Sequence, residues 1–201
     1  MIDWLINYPV LLGLITFLFM YSDWLLTIAQ EKERIKHYSE HYQSYPINTI
    51  EGNPILQKGV SKRQIINPRH FIVAVAVGLL IAYDIPNETI TRRELFLGFV
   101  WGLTLIVNTQ HLSNLIGYKA GQKGIHGKLW IHQRTGFITQ AGRYFSTSLF
   151  LLFLSVVTGS LFLYGVTIAG FISAIRQLLW IIKIPKIDKN DSIPEMDKQN
   201  D

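Results

Sequence analysis

The chain has 201 residues, of which 49% are apolar and 16% charged, and its formal net charge is +5. The charged share falls below the ~25% of soluble domains, and the charges sit between long apolar runs. That pattern argues against a soluble fold and reads Lys and Arg as markers of membrane topology, with no nucleic-acid partner expected; the absence of cysteine excludes disulfides, thiolate metal sites and cysteine nucleophiles.

One domain is expected at this length, a transmembrane helix bundle over residues 1–187 followed by a disordered polar tail over 188–201. The start, Met1-Ile2-Asp3-Trp4, lacks the basic segment and small-residue cleavage site of a signal peptide. The first apolar run is therefore expected to stay as an anchor. It covers residues 9–30. The second covers 70–86, bounded by Pro68 and Pro86, and the third 94–118, with Thr91 or Asn87 capping its start and Gly117 its end.

The last run, 144–184, is interrupted by one internal charge, Arg176, with Lys183 next to its end. One helix of roughly forty residues would project ~60 Å, about twice the hydrocarbon thickness, so it must break. The expected break is Leu163-Tyr164-Gly165. The predicted fold is all-α, a polytopic membrane bundle of about five helices. The alternative has four spans plus an interfacial helix whose polar face is Arg176, Gln177, Trp180 and Lys183, opposite Ile172, Ile175, Leu179 and Ile182.

Charge sets the expected sidedness. Seven Lys or Arg lie in 31–69 and five in 119–143, whereas Arg92 and Arg93 between the second and third runs face Asp84, Glu88 and Glu94. The positive-inside bias puts both basic loops and the carboxyl terminus in the cytoplasm and the amino terminus outside. Five spans satisfy this; four would leave Lys183, Lys186 and Lys189 outside.

Polar groups inside apolar helices are costly and mark functional candidates. The first run holds Asp23 with Thr27 one turn later, and the third holds Asn108, His111 and Asn114 at i, i+3, i+6, a spacing read as one stripe. Both sets fall in the same leaflet. The plainer reading of Asn108 and Asn114 is interhelical packing, worth ~0.6 kcal/mol per bond. Asp23 needs a partner, a proton, a cation or water, and His111 and Arg176 are the partners available. An Asp23–Arg176 pair would satisfy both charges structurally.

Elsewhere the ordinary reading prevails. Glu51 reads as a loop charge and Asn53-Pro54 as a turn starter. The stretch from Glu31 to His37 reads as a solvated helical extension laced by Glu31–Arg34 and Glu33–Lys36 pairs. His37 and His41 share a four-residue spacing without further ligand residues nearby, and the Gly-rich loop around His126 fits no phosphate-binding fingerprint. Its Lys and Arg read as contacts for anionic lipid.

Asp23-x-x-x-Thr27, Glu51-x-Asn53-Pro54 and His111-Leu112-x-Asn114 together resemble the motifs of an uncharacterised family of small prokaryotic polytopic membrane proteins. The gap between Thr27 and Glu51 is longer here than in that pattern. The resemblance implies a prokaryotic cytoplasmic-membrane location and groups Asp23, Glu51, Asn53, His111 and Asn114 as one constellation, without implying an activity.

Three functions follow as expectations. The first is a structural or interaction role in the bilayer, homo-oligomers included. The second is a proton or cation transporter or channel lined by Asp23, Asn108 and His111. The third is a metal-dependent interface enzyme in which Asp23, Glu51 and His111 hold a divalent cation, with Mg²⁺, Mn²⁺ and Zn²⁺ all suited to such ligands.

Overall fold

A computed structural model describes residues 5, 7–38, 42–45, 50–51, 54–121 and 129–184. Six α-helices dominate them: α1 (Pro9–Glu33), α2 (Pro54–Ser61), α3 (Pro68–Asp84), α4 (Ile90–Gly121), α5 (Gln133–Thr158) and α6 (Leu161–Ile181). All but α2 are long and apolar enough to cross a membrane, five in total. Two four-residue strands, β1 (Tyr42–Tyr45) and β2 (Leu129–His132), pair in parallel with Tyr42 opposite Leu129. This small patch joins the two basic loops and leaves the class all-α.

The long helices alternate in direction along the chain and lie side by side in the order α3, α1, α4, α6, α5, so that α1, α4 and α6 are parallel neighbours. Small residues set the spacing. Gly13 of α1 and Gly78 of α3 face each other so closely that a Cβ on either would lie 2.6 or 2.8 Å from the other's carbonyl oxygen. Gly98 of α4 presses against the Phe162 backbone, Gly102 against Val166 and Ala169, and Gly165 against Leu95 and Phe99. Close backbone approach of this kind is how helices associate where lipid removes any hydrophobic drive between them.

Burial follows the same logic. Thr16, Thr27, Gln30, Ser148, Ser155, Thr167, Ser173 and Gln177 point inward, while Leu14, Leu18, Ile72, Leu79, Phe150, Phe153, Val156, Ile172 and Leu179 point out. An apolar exterior around small and polar contacts suits a hydrocarbon surround.

Several boundaries differ from expectation. The final run breaks at Gly159-Ser160, not at 163–165. Gly159 takes the left-handed conformation (φ 64°) that ends α5, and the Ser160 hydroxyl accepts from the Leu163 amide to start α6. Gly165 instead serves the α4 contact. The fourth span begins at Gln133 rather than Tyr144, because His132 Nδ1 accepts from the Arg134 amide at 3.1 Å and caps a helix that starts in the basic loop. The third helix runs through Gly117 to Gly121, and Asn87 caps the end of α3 instead, donating to the Tyr83 carbonyl at 2.7 Å. The interfacial alternative for the last helix does not describe α6, which packs along both α4 and α5 and in which Gln177 is buried.

Candidate functional site

Helices α1 and α4 run parallel and are joined by a ladder of side-chain bonds. Trp101 Nε1 donates to Thr16 Oγ1 at 2.9 Å. One to two turns further along α4, Asn108 Nδ2 donates to Ser22 Oγ at 2.8 Å and to the Phe19 carbonyl at 2.9 Å. The last rung is His111. Its Nε2 lies 3.1 Å from Asp23 Oδ1 and 3.2 Å from Thr27 Oγ1, and its Nδ1 lies 2.6 Å from Gln30 Nε2.

Hydrogen-bond direction assigns the ring. The Gln30 amide nitrogen also reaches the Leu26 carbonyl at 3.3 Å, so it sits between two acceptors, and Nδ1 is one of them. Nε2 then carries the proton. The Thr27 hydroxyl donates backward to the Asp23 carbonyl at 2.9 Å, which leaves its lone pairs to face Nε2–H. Asp23 Oδ1 is a buried oxygen with no aligned donor despite its 3.1 Å approach to the ring. That approach is electrostatic, since the N–H fits Thr27 better. The rest of the carboxyl is open: the Asp23 side chain is 31% exposed and that of His111 23%.

Depth follows from helix rise. His111 stands seventeen residues beyond Glu94, about 26 Å along the axis at ~1.5 Å per residue, a distance close to the ~30 Å thickness of a hydrocarbon core. The site therefore sits at the basic end of the bundle, which among the described residues includes Lys32, Lys58, Lys62, Arg63, Arg69, Lys119, Arg134, Arg143 and Lys183.

The surroundings hold α1 in register. Trp24, on the far side of α1 from His111, is 1% exposed, stacks on His70 at 5.4 Å, and donates to the Gln64 and Ile65 carbonyls at 3.0 and 2.9 Å. Those carbonyls are presented by the turn that closes α2, where Arg63 takes φ 52° and the Gln64 amide returns to Gly59. Just past the site, Arg34 forms a two-pronged bond to Glu31 at 2.8 and 3.0 Å, with side chains 3% and 1% exposed. This pair was expected in solvent. It is buried instead, and the Ile50 amide donates to Glu31 Oε2 at 3.4 Å.

The chain matches no protein-family description, no curated protein and no solved structure.

Of the residues singled out by sequence, Asp23, Thr27 and His111 meet, with Asn108 on the next rung. Asn114 does not face α1. Each three-residue step turns a helix by ~300°, so an i, i+3, i+6 series drifts ~60° per step. Asn114 consequently turns toward α5, accepting from Gln110 at 3.0 Å and Arg143 at 3.3 Å. Arg176 does not pair with Asp23 either; it lies exposed on α6 with its guanidinium 5.2 Å from the Trp180 ring centre. Glu51 accepts from Gln57 Nε2 through its carbonyl. Among the described residues no three His, Asp or Glu side chains group as metal ligands, so Glu51 does not join Asp23 and His111 in such a set. Asn53, His41 and His126, and the side chain of His37, lie outside the described residues. Gln30, Ser22 and Trp101 were not anticipated. Gln30 was readable in principle, since it lies one turn beyond Thr27 on the face that carries Asp23.

Proposed function

We propose that this chain is an integral membrane protein of a prokaryotic cytoplasmic membrane, with its amino terminus outside, and that Asp23 and His111 form a proton-binding centre facing the cytoplasm. The observation that carries the reading is the buried Asp23 Oδ1, without an aligned donor, 3.1 Å from an imidazole nitrogen. A seam built only to hold helices together needs no ionisable group, and its deeper rungs, Thr16–Trp101 and Ser22–Asn108, use none. A carboxylate in hydrocarbon adds a desolvation cost that packing does not require. Adding a proton to Nδ1 removes its acceptor role, so the Gln30 amide must turn its oxygen to the ring. Protonation is thereby linked to a side chain of α1, as a proton-responsive transporter or gate requires. The resemblance to uncharacterised prokaryotic membrane proteins fits this placement.

A purely structural role is the second reading, and the neutral Thr16–Trp101 and Ser22–Asn108 rungs favour it. A metal enzyme built on Asp23, Glu51 and His111 has no such support.

Membrane insertion and orientation are directly testable because the chain contains no cysteine. In intact cells a membrane-impermeant maleimide should label Asn87→Cys, in the short α3–α4 connection, and should label Lys62→Cys only after permeabilisation. Labelling of Lys62→Cys alone would invert the orientation. Recovery of the protein in the soluble fraction would end the membrane reading.

A further inference from the structure

Helices α4 and α5 both lean on α6 and leave a cavity of about 350 Å³ between them. Beside it Gly170 of α6 comes so close to both helices that a Cβ there would meet Ile106 and Ser148. The lining changes with depth. Leu105, Ile106 and Leu151 form the deep part, and Gln110, Ser113, Thr147 and Arg143 form the part toward the basic end. Ser113 lies about 28 Å from Glu94 along α4 at ~1.5 Å per residue, the level at which headgroups begin.

Arg143 sits at that rim, exposed on α5, and bonds the neutral Asn114 carbonyl at 3.3 Å. No carboxylate lies within ion-pair distance of it among the described residues. Gln110 holds Asn114 in place at 3.0 Å and so fixes the guanidinium over the groove. A guanidinium at the edge of hydrocarbon is best satisfied by phosphate, which it can grip with two parallel N–H bonds.

We propose that the α4–α5 groove binds one anionic phospholipid of the inner leaflet. An acyl chain lies along Leu105, Ile106 and Leu151, and the headgroup phosphate lies on Arg143 with Ser113 and Gln110 beside it. The charge and the polarity gradient both match a lipid, which has an anion at one end and an alkyl chain at the other. The groove lies toward α5, where Asn114 meets Arg143, whereas His111 meets Asp23 of α1. The lipid site rests on the membrane placement proposed above and not on the proton centre.

Native mass spectrometry of the full chain, extracted in detergent doped with phosphatidylglycerol or phosphatidylcholine, tests this. The wild type should retain one phosphatidylglycerol in preference to phosphatidylcholine. Arg143→Gln should lose about fivefold of that preference, the worth of one basic side chain at an anionic surface. Arg143→Lys should keep most of it. Thr147→Trp, which fills the groove from an exposed position, should lose both lipids. Lys183→Gln, a basic residue at the same end outside the groove, should change nothing. Equal retention of both lipids by the wild type, or unchanged retention in Thr147→Trp, would overturn the proposal. So would displacement by inorganic phosphate at the lipid's own concentration, which would make this a free-anion site. Protein that purifies without detergent would instead defeat the membrane placement.

Discussion

Gly98→Val should be the most damaging single change in the bundle, lowering stability in detergent by about 3 kcal/mol, the upper part of the range for overpacking. A Cβ at Gly98 would collide with the carbonyl of Phe162, and this is backbone that cannot rotate away. Gly165 makes the reciprocal approach to the Leu95 carbonyl, so α4 and α6 interlock at two points. Any side chain there must push the helices apart and unpack Leu97, Trp101 and Phe162 with them. Gly142 provides the contrast. It lies inside α5 with nothing near an added Cβ, so Gly142→Ala should stabilise by up to ~1 kcal/mol through lower backbone entropy. Unfolding by stepwise addition of a denaturing detergent measures both, and equal effects would refute the interlock.

Glu31→Leu should cost about 3 kcal/mol, the low end for breaking a buried ion pair from one side. The substitution leaves the Arg34 guanidinium, 3% exposed, without its two-pronged carboxylate, and it removes the acceptor of the Ile50 amide. The double change Glu31→Leu with Arg34→Met should recover most of the loss, because two apolar side chains carry no stranded charge. Failure of the double variant to recover would mean that the pair matters through its links to the loops and not through its buried charge. On the sequence this pair looked like a solvated i, i+3 contact worth a few tenths of a kcal/mol. Its carboxylate also accepts from an amide nineteen residues away, a link that no local pattern reveals.

The contrast between these two sites separates what the sequence discloses from what it conceals. Helix number and type were legible, because apolar runs near 20 residues admit few alternatives. The basic loops were legible as one end of the bundle by charge alone. Helix boundaries inside the last run were not: Leu163-Tyr164-Gly165 and Gly159-Ser160 both look like breaks, and only the packing of Gly165 on α4 selects the second. The pair Gly98-x-x-x-Gly102 is a sequence signal for the close contact that both glycines make with α6.

The candidate site shows the same division. Asp23, Thr27 and His111 stood out because polar groups are rare in apolar runs, and the bundle brings them together. Arg176 stood out equally and went elsewhere, since the choice among partners depends on which helices are neighbours. The lateral order puts α4, not α6, beside α1. Asn114 was misassigned by treating an i+6 spacing as one face, although ~120° separates it from Asn108.

The most direct test of the proton centre is ¹⁵N spectroscopy of labelled histidine and glutamine side chains in lipid nanodiscs, with His111 identified by its loss in His111→Gln. The hydrogen-bond pattern predicts a ring protonated on Nε2 with Nδ1 accepting from Gln30. A second proton on the ring would remove the Nδ1 acceptor, so the Gln30 amide signals should change together with those of the ring when the sample is acidified. A ring protonated on Nδ1 alone, or one that stays in a single state while the folded protein is acidified, would contradict the assignment and leave the seam a packing device.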